Sequence, residues 1–335
     1  MKKLFASVIK LAFKLYDVIK YTPIWSLVRP FLNIAAFFIW SIANSRQYWN
    51  NQGVVILYYH KPFPSQFEKH LKFIPEHWNI ISLDALCESI KSGKNNKNSV
   101  VITLDDGDKS NFHFLQIIKK YSVPVMIYLT SDIIGTDKEF WWDTLRNLKA
   151  AAGACRNKDV LIRSPEYYKS IPEKQKIQEI SGAITKLGYY PRERCALSFQ
   201  EIEEMLHTGM VTFGSHSKTH PCLSMTSDES AWEEIVMSKE YLEAKLGTPI
   251  KHFSYPDGCY QEKHIKMVKK AGYTSAATTI PLINTSNTSL FELRRIAINQ
   301  KDNVSLLAIR ISGLWNKLGF DDFTIEKLRT RGLCF

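Results

Sequence analysis

The chain has 335 residues, 45% of them hydrophobic and 23% charged, with a formal net charge of +11. That hydrophobic content excludes a globally disordered chain, and the length allows one large domain or two smaller ones. The six cysteines form no CxxC pair, which excludes a zinc knuckle or a dithiol redox motif and is compatible with a reducing compartment.

The charge is uneven. Residues 1–50 carry seven Lys and Arg against the single Asp17, a balance of +6. In residues 2–20, KKLFASVIKLAFKLYDVIK, the apolar residues Leu4, Phe5, Val8, Ile9, Ala12, Leu15, Tyr16 and Ile19 recur at helical spacing. Lys3, Lys10, Lys14 and Asp17 fall on the other side, which predicts a basic amphipathic helix suited to an anionic membrane surface. The run FLNIAAFFIWSIA (31–43) is shorter than the roughly 20 apolar residues of a spanning helix, so an interfacial or re-entrant segment is expected. Residues 1–45 therefore read as a membrane contact. Packing of both pieces on the main domain is the plainer alternative, and an uncleaved signal anchor is another, since Arg29 can snorkel. The sequence pI of about 9.2 raises a nucleic-acid partner. The excess sits in an amphipathic segment rather than among exposed aromatics, which argues against one.

From residue 53 apolar runs at 53–59, 78–83, 99–104, 123–129, 210–214, 251–255 and 273–278 read as strands. Helical patterns fall at 65–76, 83–92, 109–121, 198–208, 228–246 and 261–271. Ser198 with Glu201, and Ser230 with Glu233, have the spacing of capping boxes. Gly209, Gly247 and Gly272 stand where helices would end. Residues 138–196 break the rhythm and read as a helical insertion or lid. Val304, Leu307, Ala308, Ile311, Leu314, Trp315 and Leu318 give the tail a helical face. The expected organisation is a helical segment over 1–50, a domain over 51–300 and a helical tail over 301–335. Strands alternating with helices predict a parallel sheet covered by helices, and seven of them an α/β barrel or strongly curved sheet. Reactive residues then belong at the C-terminal strand ends, where Asp105-Asp106, His216 and Tyr255-Pro256 fall.

The run VVITLDDGDKSN (100–111) ends a strand on two adjacent carboxylates. Two neighbouring carboxylates in a closed site do not both ionise cheaply without a cation. His216 and His220, in GSHSKTHP, are four apart, so a turn can aim both imidazoles at one point. Asp106, His216 and His220 would make three ligands with open positions, the layout of a catalytic metal site. Asp105 would stand just beyond to take a proton from water. Taken singly, a DDG strand end is more often a turn, and an HxxxH pair is more often solvated or core.

The runs TLDDGDKSN, GSHSKTHPCLS and HFSYPDGCY, in this order, resemble the first three motifs of the polysaccharide deacetylases, the NodB-homology group or carbohydrate esterase family 4. ILYYHKP and FEKHLKFI within 56–74, SKEYLEAKLGTPIKHFSYP (238–256) and LRRI (293–296) resemble the branch typified by bacterial poly-N-acetylglucosamine deacetylases. The similarity spans residues 53–300. It implies a (β/α) barrel, circularly permuted in this branch. It implies a divalent metal, usually Zn2+, on Asp106, His216 and His220, with Asp105 as general base. The backbone around Tyr255, Pro256 and Asp257 would face the oxyanion, and His60 would be the general acid; the plain alternative for His60 is a strand-end histidine. The family's third motif carries an arginine that orients the base. Neither Ser254 nor Tyr255 can replace it, and Arg295 is the expected substitute ahead of Arg294. Leu104 stands where an aromatic is usual, Asp257 where this branch often has Tyr, and Asp108 adds a carboxylate that would change the cleft's polarity.

The implied reaction is hydrolysis of an N-acyl, chiefly N-acetyl, group from an amino sugar. The substrate is either a polyprenyl-phosphate-linked sugar used in cell-envelope glycan or lipopolysaccharide modification, or an N-acetylated polysaccharide. The basic segment favours the first, at the cytoplasmic face of the inner membrane; a signal-anchored protein facing outward is the alternative. Trp141 and Trp142 would cover the sugar or, more plainly, pack. A non-catalytic carbohydrate- or membrane-binding protein is the reading of another class, and intact Asp105, Asp106, His216 and His220 argue against it.

Overall fold

The computed structural model describes residues 53–94, 96–154, 160–191 and 193–312. The expected membrane contact at 1–50 and the tail beyond 312 lie outside them. Among the described residues eight strands form: β1 (Val54–Tyr59), β2 (Asn79–Ile80), β3 (Ser99–Leu104), β4 (Val125–Leu129), β5 (Val211–Ser215), β6 (His252–Ser254), β7 (Ser275–Ala277) and β8 (Arg295–Ala297). The helices are α1 (Pro64–Phe73), α2 (Leu83–Lys91), α3 (Leu115–Tyr121), α4 (Trp141–Ala154), α5 (Pro165–Ser170), α6 (Glu173–Leu187), α7 (Phe199–His207), α8 (Asp228–Leu246), α9 (Glu262–Lys270) and α10 (Val304–Ile311). All strand pairs are parallel and run β7-β6-β5-β4-β3-β1-β8, with the short β2 beside the start of β3. A parallel bridge from Ala277 to Leu293 brings the chain just before β8 against β7. The seven longer-range strands thus form a nearly closed barrel, the expected architecture.

Side-chain alternation sorts the barrel. Val55, Leu57, Tyr59, Val100, Ile102, Leu104, Val125, Ile127, Leu129 and Ile296 belong to the large core shared with helix residues such as Leu71, Ile118 and Ile235. The opposite set, Val54, Ile56, Val101, Met126, Tyr128 and Ala277, forms a second cluster with Leu83, Leu86 and Cys87 of α2. The register aligns Tyr58 with Thr103 and with Ala297, and Tyr128 with Gly214. Gly214 has a steric reason: a Cβ there would meet the His252 carbonyl and the Tyr128 ring, each at 2.7 Å.

β8 is absent from the sequence reading. It is three residues long and begins on a charged residue, and a strand that buries an arginine does not read as an apolar run. The capping box of α7 is present, with Ser198 accepting from the Glu201 N–H. At α8 the expectation is corrected: the cap is Ser227, which accepts from Ser230, so the helix starts one turn earlier than the Ser230 box implied. Residues 138–196 hold the helices α4, α5 and α6. Leu145, Leu148, Tyr168, Ile180 and Ala183 give α4, α5 and α6 a small core of their own.

Candidate active site

Asp105 follows β3 and Arg295 opens β8, and both are buried. Thr103 and Asp105 continue the series Val101-Thr103-Asp105 on the face that Arg295 also occupies. The Arg295 guanidinium donates to both oxygens of Asp105, Nη1 to Oδ1 at 2.7 Å and Nη2 to Oδ2 at 2.9 Å. It also donates to Ser254 Oγ at 2.8 Å and, through Nε, to the Thr278 carbonyl at 2.9 Å. The Tyr58 ring lies 4.6 Å and the Tyr128 ring 5.4 Å from its charged carbon. A fully buried guanidinium needs this many partners, because unpaired burial of its charge costs several kcal/mol. Burial works against the charge on Asp105. The Arg295 guanidinium, His216 and the paired hydrogen bonds outweigh it and hold the carboxyl below the usual carboxylate range.

Asp106 cannot continue the strand. Its φ is 75° and that of Gly107 is 77°, so the chain turns on the second carboxylate and delivers it to the same mouth. A Cβ on Gly107 would also meet Leu129 Cδ2 at 2.7 Å. Ser217 and His220 likewise have φ of 63° and Asp257 of 54°, the kind of strained backbone that gathers at functional sites. The loop carrying the histidines is held from α8. Glu234 Oε2 accepts from the N–H groups of Lys218 and Thr219, at 2.9 and 2.8 Å, and Oε1 from the Thr219 hydroxyl at 2.7 Å.

The three side chains converge. Asp106 Oδ1 lies 3.6 Å from His216 Nε2 and 3.5 Å from His220 Nε2, and one ligand atom from each residue falls within 4.8 Å of the others. His216 Nδ1 lies 2.8 Å from the Ser254 carbonyl oxygen. That carbonyl can only accept, so Nδ1 carries a proton and Nε2 is the ring nitrogen turned toward the cluster. Asp106 Oδ1 is buried with no hydrogen-bond partner. Burial raises its pKa, and the imidazoles of His60 and His216 only partly offset this. Burial, with His216, holds the His220 imidazole neutral, well below its usual value. A desolvated, unpartnered carboxylate oxygen beside two imidazole nitrogens is a donor set that fits a first-row divalent cation.

The cluster opens into a cavity of about 500 Å³. His60, at the exposed end of β1, lines it together with Asp105, Asp106, Tyr255 and Asp257. Tyr255 is buried, stacked on Tyr260 at 4.4 Å. Its N–H donates to the Ala277 carbonyl, and Pro256 has none, so Asp257 is left as the N–H donor that stretch can offer. Asp108 does not add to the cleft's polarity as the sequence suggested. Lys61 pairs with it at 2.7 Å, and it accepts from the Ser110 N–H.

Several contributors escape the sequence reading. Ser254 does not replace the missing arginine but binds the one that does. Tyr58 lies two residues before His60 on one face of β1, a signal that period-two alternation could have supplied. Glu234, and Lys169 of the insertion, carry no sequence signal, because only the fold brings them here.

With this geometry in place, the comparison with protein families is decisive. The polysaccharide deacetylase model matches residues 92–276, more than half of the chain. The chain belongs to the polysaccharide deacetylase family. The matched range holds Asp105, Asp106, His216, His220 and Asp257, whereas His60 and Arg295 of this deacetylase-family chain lie outside it and join the site through β1 and β8. No curated protein sequence matches the chain significantly. Among solved structures, IcaB from Ammonifex degensii superposes with a TM-score of 0.57 at 14% identity, covering 78% of this chain and 98% of its own. Streptococcus pyogenes deacetylase PplD, in complex with acetate, gives 0.55 at 18%, covering 77% and 97%. A de-N-acetylase from Aggregatibacter actinomycetemcomitans gives 0.53 at 15%, covering 77% and 98%. At these identities the likeness is one of fold.

Proposed function

We propose that this deacetylase-family chain is a metal-dependent carbohydrate N-deacetylase, removing the N-acetyl group of an amino sugar by hydrolysis. The observation that carries the reading is the convergence of Asp106, His216 and His220 on one point with a separate carboxylate, Asp105, held beside them by Arg295. Asp106, His216 and His220 would hold the cation, and their mixed oxygen and nitrogen set suits Zn2+. A cation bound there supplies Lewis-acid polarisation of the acyl carbonyl.

The remaining work falls to the chain. Asp105, kept ionised and oriented by Arg295, accepts a proton from the attacking water on its carboxylate. The water oxygen bonds to the acyl carbon, and the N–H of Asp257 donates to the developing oxyanion. His60 gives a proton to the sugar nitrogen as the C–N bond breaks, leaving acetate and a free amine. The deciding experiment measures acetate release and metal content together. Asp106→Ala should lose bound zinc and activity. Asp105→Asn should keep zinc and lose at least a thousandfold in kcat. A fully active Asp105→Asn protein would refute the assignment.

The favoured substrate is a polyprenyl-phosphate-linked amino sugar at the cytoplasmic face of the inner membrane. The basic amphipathic sequence of residues 2–20 supports it, since such a segment would dock the barrel beside an anionic lipid carrier. An N-acetylated polysaccharide is the second reading, supported by the family's description and by the de-N-acetylase among the structural neighbours. Mass spectrometry of polyprenyl-linked sugars from cells with wild-type or Asp105→Asn protein separates them. An unchanged lipid profile removes the first.

A further inference from the structure

The insertion between β4 and α7 does more than cover one strand end. On one flank, Lys61, just after β1, reaches Asp143 of α4 at 3.4 Å as well as Asp108 after β3 at 2.7 Å. On the other flank, Lys169 of α5 is ion-paired with Asp257, just after β6. Between them the Trp142 ring stacks on Phe140 and meets His220 edge-on at 4.7 Å. α4, α5 and α6 share their own small core, so the two flanking ties belong to one packed block. In barrel order this block walls the mouth from β1 through β3, β4 and β5 to β6. The remaining arc, after β7 and β8, is lined by Thr279, Ile298, Asn299 and Gln300, of which Asn299 and Gln300 are exposed.

A polymer processed at an internal residue needs two ways out of the cleft, one for each arm of the chain. A lone sugar, or the last residue of a chain, needs only one. We infer that this cleft takes a terminal or single N-acetylated amino sugar and excludes internal residues of a polymer, with the Lys169–Asp257 pair closing the far side. This rests on the deacetylase reading and narrows its substrate class. A cavity of about 500 Å³ is within the size range of a site for one small ligand, and among the described residues the walled flank leaves no run of subsites across the barrel.

The test uses glucosamine hexamers carrying a single N-acetyl group, placed either on a terminal residue or on an internal one. With zinc supplied, the wild-type chain should release acetate from the terminally acetylated hexamers with at least tenfold higher kcat/KM. Titration calorimetry on the Asp105→Asn protein should show the same order in affinity. Lys169→Ala, which cuts the tie to Asp257, should reduce the preference at least threefold. Equal rates and equal affinities for the two positions overturn the inference and leave the deacetylase reading standing. Tighter terminal binding without acetate release from any hexamer supports the one-ended cleft and overturns the deacetylase reading instead.

Discussion

Asp105 and Arg295 form a buried pair in which each partner makes the other tolerable. Removing one charge from such a pair costs about 3–5 kcal/mol, since the survivor is left buried and uncompensated. Arg295→Met should therefore lower stability by that order in urea titrations and reduce deacetylase activity, because Asp105 loses both its charge partner and its orientation. Arg295→Lys should recover part of the stability but not the two-point grip, since an ammonium has no fork. A Met variant as stable as the parent would mean that Asp105 is not charged in the fold. At this scale the sequence was informative where chemistry is local. The adjacent carboxylates and the four-residue spacing of the histidines were readable, and the family resemblance pointed to Arg295 over Arg294. The partners of Arg295 were not, because Thr103, whose hydroxyl accepts from Nη1 at 3.4 Å, Ser254 and Thr278 come from three different strand ends and look like ordinary strand polar residues.

At the scale of elements, the histidine loop is shaped from outside itself. Glu234 lies on α8, one face of which packs on the barrel through Ala231, Ile235 and Leu242. Its carboxylate ties down the backbone between His216 and His220. Groups that orient metal ligands in this indirect way typically change affinity by about 10–100-fold when removed. Glu234→Ala should weaken zinc binding by about that factor in competition with a chelator, with little change in melting temperature. Unchanged zinc affinity would show the loop to be self-supporting. Two buried histidines outside the site make helices pH-sensitive. His70 on α1 donates to the Asp302 carbonyl at 2.8 Å and meets the Tyr59 hydroxyl at 3.2 Å. Burial pushes it down to about 4, and it does the same to His264 on α9. Both are neutral in the fold and bind a proton more readily when unfolded, where the value is about 6.5. Their contribution is complete above about pH 6.5 and is lost as pH falls toward 4. The loss should be on the order of 2–3 kcal/mol for each, seen as a falling urea midpoint between pH 7 and 4.5. His264→Gln should flatten that slope; an unaltered slope would place the titrating groups elsewhere.

For the molecule as a whole, we propose a division of function between the barrel and the segment before it. Residues 1–50 hold a charge of +6, and each Lys or Arg near an anionic surface is worth about 1 kcal/mol. Deleting residues 1–45 should move the protein out of the membrane pellet and abolish co-sedimentation with phosphatidylserine-containing vesicles. Acetate release from a short soluble substrate should persist. Retained vesicle binding by the truncated chain would assign membrane contact to the barrel instead.

The sequence alone determined the parallel barrel, the positions of its longer strands along the chain and the identities of Asp105, Asp106, His216, His220 and Arg295 as candidates. It could do so because strand runs, helix caps and strand-end polar residues are written in short stretches whose period or composition is set by local geometry. Tertiary structure decided the rest. β8 is held where a buried arginine meets Asp105 past the intervening β1, and Asp108 is met by Lys61. The insertion reaches Asp257 with a lysine 88 residues away in the chain. Contacts of that kind depend on how distant segments close in space, and no local pattern of residues encodes the distance between them.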